Sequence, residues 1–247
     1  MDTEAVTIPN EPVPVPAVVT RIAAGRPVYP AWTNEAGGFA FQIGDGDGRE
    51  FVKVQPPHPE VNLHREADKL RWVAPYLTVP AVLAVGRDGA SEWLHTAGIP
   101  GRTAVDPRFT AQPHVAVRAI ATGLRAMHDR LPIDSCPYSW SVTSRLAALP
   151  ESARRRVPDP PPIDKLVVCH GDACAPNTLL SDDGQWCGHV DFGDLGIADR
   201  WADLAVAAWS VGYDYGDDRR AEFFDVYGIE PDSERLDYYL RLWDGGE

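Results

Sequence analysis

Residues 169–204 run CHGDACAPNTLLSDDGQWCGHVDFGDLGIADRWADL and carry an acid, an amide and a second acid at Asp172, Asn177 and Asp191. Residues 172–177 read as a loop, Thr178–Leu180 and residues 186–190 as short strands, and residues 181–184 as the turn between them. Asp and Gly adopt turn dihedrals at little cost. A hairpin brings its outer ends together, so Asn177 and Asp191 are expected side by side, with Asp172 one loop away. Two oxygen ligands beside a third carboxylate suit Mg²⁺ held against polyphosphate, with a base waiting for a hydroxyl proton.

A second group lies upstream. Residues 39–43 alternate, residues 44–48 (GDGDG) turn, and residues 50–54 alternate again, which is a strong hairpin signal. The turn resembles part of a calcium loop but lacks the closing Glu such a loop needs. Lys53 shares a strand face with Phe51 and Gln55. A lysine in mid-strand is ordinarily a solvated edge residue. Residues 61–73 have helical period, with Leu63, Ala67, Leu70 and Ala74 as the apolar stripe and Glu66 on its edge. Glu66 is ordinarily a surface charge, but an inward carboxylate needs a partner, because an unpaired buried charge is costly. Lys53 can be that partner and still grip phosphate oxygens, and Phe51 can offer its ring to a nucleobase. Gly37 and Gly38 allow close approach to phosphates, although such a pair more often marks an ordinary turn.

Competing chemistry is weaker. His170, Asp172, His189 and Asp191 form two H-x-D pairs that suit a transition metal, but Asn177 is a poor ligand for one and a good ligand for a hard cation. His170 and His189 then read as hydrogen-bonded braces of the loop. The four cysteines, Cys136, Cys169, Cys174 and Cys187, have no C-x-x-C spacing. They are expected as free thiols, with Cys174 and Cys187 as packing residues.

The elements that must position these groups follow from the rest of the chain. Residues 1–19 are rich in Pro and Val and predict an extended arm. Residues 79–85 and 92–96 predict two further strands, and residues 98–101 break the pattern at a boundary. Beyond it, residues 111–130 predict a helix burying Val115, Ala119, Thr122, Leu124, Ala126 and Met127, and residues 141–149 a short one. Residues 157–162 are a proline-stiffened connector. Asp199 is expected to cap a helix running to about residue 211, followed by helices over 219–227 and 233–243. The expected class is α+β: a β-rich nucleotide-binding part over residues 1–97, with one helix, and a mainly helical catalytic and acceptor-binding part over 98–247.

The chain has 247 residues and a formal net charge of −13. That argues against nucleic-acid binding, which leaves a basic footprint, and is compatible with a cationic ligand. Neither a basic, apolar leader nor a run of membrane-span length is present, residues 204–211 being too short. A cytoplasmic protein without membrane partners is expected, as monomer or homodimer.

The motifs HGDxxxxN at 170–177, HVDFG at 189–193 and GxADRxxDLA at 196–205 resemble the aminoglycoside phosphotransferases. Residues 133–138 (IDSCPY), 144–146 (SRL) and 226–231 (VYGIEP) are similar to segments of the subgroup that phosphorylates a 3′-hydroxyl. The resemblance implies a bilobal, protein-kinase-like fold and ATP- or GTP-dependent transfer of the γ-phosphoryl group to an aminoglycoside, giving antibiotic resistance. It implies that Lys53 contacts the nucleotide phosphates and pairs with Glu66, that Phe51 stacks on adenine, and that Thr96 and Gly98 form the hinge binding the purine edge. Asp172 matches the catalytic aspartate, and Asn177 and Asp191 match the Mg²⁺ ligands. Asp214 matches a substrate-binding acid. The chain departs from the family in three ways. The acidic insert before the catalytic strand is reduced to residues 154–162, which are locally basic. Asp194 stands where Arg is common. The chain ends Trp243-Asp-Gly-Gly-Glu247 in place of an acid-Phe-Phe pattern. Asp194 and Glu247 are expected to compensate as substrate acids. Rival readings are a kinase for another small hydroxyl metabolite or antibiotic, and an inactive nucleotide-binding regulator.

Overall fold

The computed structural model describes residues 13–34 and 36–244. The first twelve residues of the expected arm, and Glu247, lie outside the described residues. The chain divides into two compact units: residues 1–75 with 79–100, and residues 76–78 with 101–247.

The first unit is built on an antiparallel sheet of five strands, β1 (Val28–Thr33), β2 (Phe39–Ile43), β3 (Glu50–Gln55), β4 (Val82–Asp88) and β5 (Ser91–Ala97), in the order β1-β2-β3-β5-β4. The predicted hairpin is β2–β3, with Phe39 opposite Val54 and Ile43 opposite Glu50. Its period-2 pattern puts Phe41, Ile43, Val52 and Val54 into the core with Val18, Val19 and Ala23 of α1 (Ala17–Ala23). The expected extended arm therefore gives way to a helix at residue 17, immediately after Pro16. Beyond that proline the backbone N–H groups are intact, and burial of the two valines outweighs their weak helix propensity. Lys53 lies in the central strand, not on an edge.

Helix α2 (Leu63–Val73) is capped by Asn62, whose side chain accepts from the Arg65 N–H at 2.7 Å. Leu63, Ala67 and Leu70 are buried as expected, but Val73 replaces Ala74, which is exposed and ends the helix. β4 begins at Val82, later than expected at 79. Pro80 lacks the N–H a ladder needs, and residues 86–88 complete a tight hairpin through Gly89 at φ 60°.

The second unit is mainly helical. Its elements are β6 (Arg102–Thr103), α3 (Pro107–Thr110), α4 (Pro113–Arg130), α5 (Val142–Ala148), α6 (Glu151–Arg154), β7 (Leu166–Cys169), β8 (Thr178–Leu180), β9 (Trp186–His189), β10 (Gly196–Asp199), α7 (Trp201–Tyr215), α8 (Arg220–Tyr227) and α9 (Ser233–Trp243). α4 is buried on two sides, with Ala116, Val117, Ala119, Ile120, Leu124 and Met127 in the core. Thr122, expected inside, is exposed. It falls on the remaining strip with Arg118, Arg125 and Asp129, spaced at helical intervals. α7 is buried over almost every residue from Trp201 to Val211 and runs on to Tyr215, one turn beyond expectation. Asp199 accepts from the Trp201 N–H at 3.2 Å, while Arg200 holds the cap position. Among the described residues no helix is long and apolar enough to cross a membrane. The two units together are α+β.

Candidate active site

In the first unit, Lys53 Nζ lies 2.7 Å from Glu66 Oε1. Glu66 is almost fully buried on α2 and Lys53 is partly open, so the pair holds an ammonium at a fixed height on the sheet face. Trp32 contributes a ring 5.8 Å from Nζ. Phe51 pairs with Thr96 across β3 and β5, and Gly98 is pressed against it: a Cβ at Gly98 would stand 2.8 Å from the Arg49 carbonyl and 3.2 Å from the Phe51 ring. The Gly98 N–H donates to the Arg49 carbonyl at 2.8 Å, so of the purine-binding backbone groups expected there, this donor is engaged within the protein. Gly37 has φ 74° in the β1–β2 turn. Gly38 is crowded by Asn34 and Gln55, and its N–H donates to Asn34 Oδ1 at 2.6 Å.

In the second unit, the β8–β9 hairpin forms as predicted, with Thr178 opposite His189. It closes at its open end through the Val190 N–H donating to the Asn177 carbonyl at 3.0 Å. Asn177 and the segment leading into Asp191 are thereby brought together. Asp191 has φ 65°, a left-handed conformation that Asp tolerates better than most residues. The Asp172 carboxylate is held from two sides: Asn177 Nδ2 donates to Oδ2 at 2.9 Å, and the Cys174 thiol donates to Oδ1 at 3.1 Å. The same amide also donates to the Asp172 carbonyl at 2.9 Å. Burial, reinforced by the Asp191 charge and opposed by His170, raises the Asp172 carboxyl above its ordinary range. Such a group is a better proton acceptor than a solvated aspartate. Burial and the Asp172 charge push the Cys174 thiol well up, so Cys174 acts as a donor to the carboxylate and not as a thiolate nucleophile.

The loop is anchored by residues that periodicity alone did not single out. Asp203 on α7 is fully buried. It accepts from the His170 N–H at 2.6 Å, the Gly171 N–H at 2.9 Å and His128 Nε2 at 2.9 Å. His128 Nδ1 in turn meets the Tyr227 hydroxyl at 2.8 Å. Burial opposes the Asp203 charge, but these donors outweigh it and hold the carboxyl below the usual range. An acid inside the apolar run 201–211 was the available signal, since such a group requires partners. Ser210 is the second anchor: its hydroxyl accepts from the Ala175 N–H and donates to Asp214 Oδ2, both at 2.9 Å. Burial raises the Asp214 carboxyl, against the pull of Ser210.

His170 braces the loop as expected, its Nε2 lying 2.9 Å from the Val190 carbonyl. The His170 and His189 rings sit 6.0 Å apart, edge to face. Burial, with the neighbouring His170, drives His189 down to about 3, so it is neutral at ordinary pH. All four cysteines are free thiols. Asp194, expected to face substrate, lies 3.6 Å from Arg145, which itself lies over the Trp140 ring. Its added negative charge is thus partly offset from within the protein.

Gly171 joins these parts. Its φ is 87°, and a Cβ there would stand 2.4 Å from the Asp194 carbonyl oxygen. Gly171→Ala is expected to destabilise by at least about 1–2 kcal/mol from the left-handed backbone alone. Thermal melting checks this, and an unchanged melting temperature would contradict the assigned crowding.

The phosphotransferase enzyme family model matches residues 35–159 and 139–239. An aminoglycoside 3′-phosphotransferase of Niallia circulans is 31% identical over 216 residues, covering 78% of this chain and 82% of its own. One from Streptomyces fradiae is 32% identical over 250 residues, covering 85% and 91%. The solved aminoglycoside phosphotransferase APH(3″)-Id of Streptomyces rimosus superposes with a TM-score of 0.75 at 29% identity, covering 92% of this chain and 96% of its own. Its complex with ADP and streptomycin superposes at 0.68 and 27%, covering 87% and 94%. With both units spanned by these matches, the chain belongs to the phosphotransferase enzyme family.

Proposed function

We propose that the protein is an ATP-dependent kinase that transfers the γ-phosphoryl group to a hydroxyl of an aminoglycoside, with the 3′-hydroxyl as the position favoured by the sequence. The observation that carries this reading is the fixed Asp172 carboxylate beside Asn177 and the segment leading into Asp191. Asn177 and Asp191 supply hard oxygen donors, which fit Mg²⁺ and not a thiophilic metal. With its Nδ2 committed to Asp172, Asn177 offers Oδ1 to the ion. Mg²⁺ bound with ATP would neutralise charge on the phosphates.

Asp172 orients the acceptor hydroxyl and takes its proton as the acceptor oxygen bonds to the γ-phosphorus. The bond from that phosphorus to the bridging oxygen breaks, and ADP leaves with the electron pair. Lys53, steadied by Glu66, holds phosphate oxygens, and Phe51 and Thr96 border the base. Asp214 takes an ammonium of the acceptor. Lys53→Met removes a charge-assisted contact worth about 1.5–3 kcal/mol. It is therefore expected to lower kcat/KM for ATP at least about tenfold, with the acceptor KM little changed. Steady-state kinetics with each substrate varied separates the two.

The direct test is transfer from γ-labelled ATP to kanamycin, streptomycin and simple amino alcohols, with ³¹P NMR locating the phosphate. Transfer to amino alcohols alone would favour a metabolite kinase. The Arg145–Asp194 pair and the short segment 154–162 are the observations behind that second reading. Nucleotide binding without acceptor-dependent turnover would favour an inactive regulator.

A further inference from the structure

Phe51, Lys53 and Gln55 share one face of β3, in that order, each about 7 Å from the next along the strand. Trp32 of β1 is opposite Ala40 of β2, and Ala40 is opposite Lys53. Residues directly opposite share a face, so the β1–β2 end of the sheet belongs to the Lys53 face, as the Trp32 ring 5.8 Å from Nζ shows. A nucleotide with its base at Phe51 and its phosphates at Lys53 therefore directs its terminal phosphate toward the row of Gln55. Gln55 is only 3% exposed, low for a side chain with a polar end.

The partners of that buried amide lie in the turn between β1 and β2. Gln55 Nε2 donates to the Ala36 carbonyl at 2.9 Å, and Oε1 accepts from Asn34 Nδ2 at 2.9 Å. Asn34 then closes the turn on itself. Its Oδ1 accepts from the Gly38 N–H at 2.6 Å, its carbonyl accepts from the Gly37 N–H at 3.1 Å, and its N–H donates to the Gly38 carbonyl at 3.0 Å. The Gly37 and Gly38 N–H groups are thus engaged within the turn and are not held out to an anion. Gly38 serves the latch itself, since a Cβ there would collide with Gln55 Oε1 and with the Asn34 side chain.

We infer that Gln55, acting through Asn34, is a positioning residue that fixes the glycine turn beside Lys53, so that the turn meets the phosphate end of the nucleotide as a preformed wall while Lys53 supplies the charge. A turn already tied to the sheet need not be ordered when the nucleotide arrives, which preserves affinity. The effect belongs to the phosphates and not to the base, because Gln55 lies beyond Lys53 and Phe51 lies before it. This inference rests on the kinase reading of Lys53 and adds what shapes the phosphate end of that site.

The test is calorimetric titration of the full chain with a non-hydrolysable ATP analogue and, separately, with adenosine, in the wild type, Gln55→Met, Asn34→Ala and the double variant. Asn34 is only half-buried, so Asn34→Ala should fold even if Gln55→Met does not. Each single variant is expected to weaken the ATP analogue about tenfold while adenosine stays within about twofold of the wild type. The double variant should bind no more weakly than the weaker single one, because both substitutions open the same latch. Unchanged binding of the ATP analogue, an equal loss for adenosine, or additive losses in the double variant would each overturn the latch and leave the kinase reading standing. If the wild type binds no ATP analogue, the nucleotide reading of Lys53 falls and the latch with it.

Discussion

Asp172→Asn is expected to lower kcat by about 10²–10⁴-fold, the range for loss of a positioned general base, while leaving nucleotide affinity intact. Asparagine matches aspartate in size and retains one acceptor oxygen. The bonds from Asn177 and Cys174 can therefore be kept in part while the proton acceptor is lost. Nucleotide affinity is followed by calorimetric titration of a non-hydrolysable ATP analogue, and turnover by phosphate transfer to kanamycin. Near-normal kcat in this variant would remove Asp172 from the chemistry. A parallel loss of nucleotide affinity would mean that the substitution had disturbed Asn177, whose amide is bonded to Asp172.

Asp203→Ala is expected to be the most damaging single substitution for stability. It would leave the His170 and Gly171 N–H groups and His128 Nε2 without their acceptor in a fully buried place. Each unsatisfied buried group costs about 1–3 kcal/mol. Three of them rival the whole stability of a typical domain, about 5–15 kcal/mol. The variant should be poorly soluble, or melt far below the wild type. Asp203→Asn keeps the volume and one acceptor and should fold with reduced stability. The pH profile gives an independent reading. The Asp203 carboxyl is held below its ordinary value of 3.8 in the fold. Its contribution is therefore present above the unfolded value and lost as pH falls through the folded one, because the unfolded chain then binds the proton more readily. Asp203→Asn should show a shallower loss of stability below about pH 4 than the wild type. Identical acid limbs in chemical denaturation would rule out the assigned charge.

What the sequence made visible was local or energetically forced. The two site hairpins were legible because their turns carry Gly and Asp, and the first also because its flanks alternate. The pairing of Lys53 with Glu66 followed from the cost of an unpartnered inward carboxylate, and the structure has it at 2.7 Å. Residues whose environment is assembled from distant segments were not legible. His128 comes to Asp203 across 75 positions, and nothing in the periodicity of α4 marks it. Asp194 was read as a substrate acid, and its ion pair with Arg145 of α5 left no local trace in the sequence. Cys174 looked like packing because the thiol's partner depends on a loop geometry that spacing alone does not define. The helix at 17–23 was missed for a related reason: its two valines favour extended backbone until the sheet of the first unit offers them a core.

The backbone at Asp191 narrows what evolution can place there. At φ 65° most side chains crowd their own carbonyl, and β-branched residues most of all. Glycine would relieve that crowding but bring no oxygen to a cation. Glutamate would bring an oxygen but gain nothing from the short local hydrogen bonds that make Asp and Asn tolerant of this region. Two unrelated filters, ligand chemistry and chain conformation, therefore pass the same pair of residues. Of these only Asp also carries charge. A search of substitutions at this position should return Asn and Gly as the variants that retain the fold's melting temperature while losing turnover, so the demand for an acid here would reflect geometry as much as catalysis.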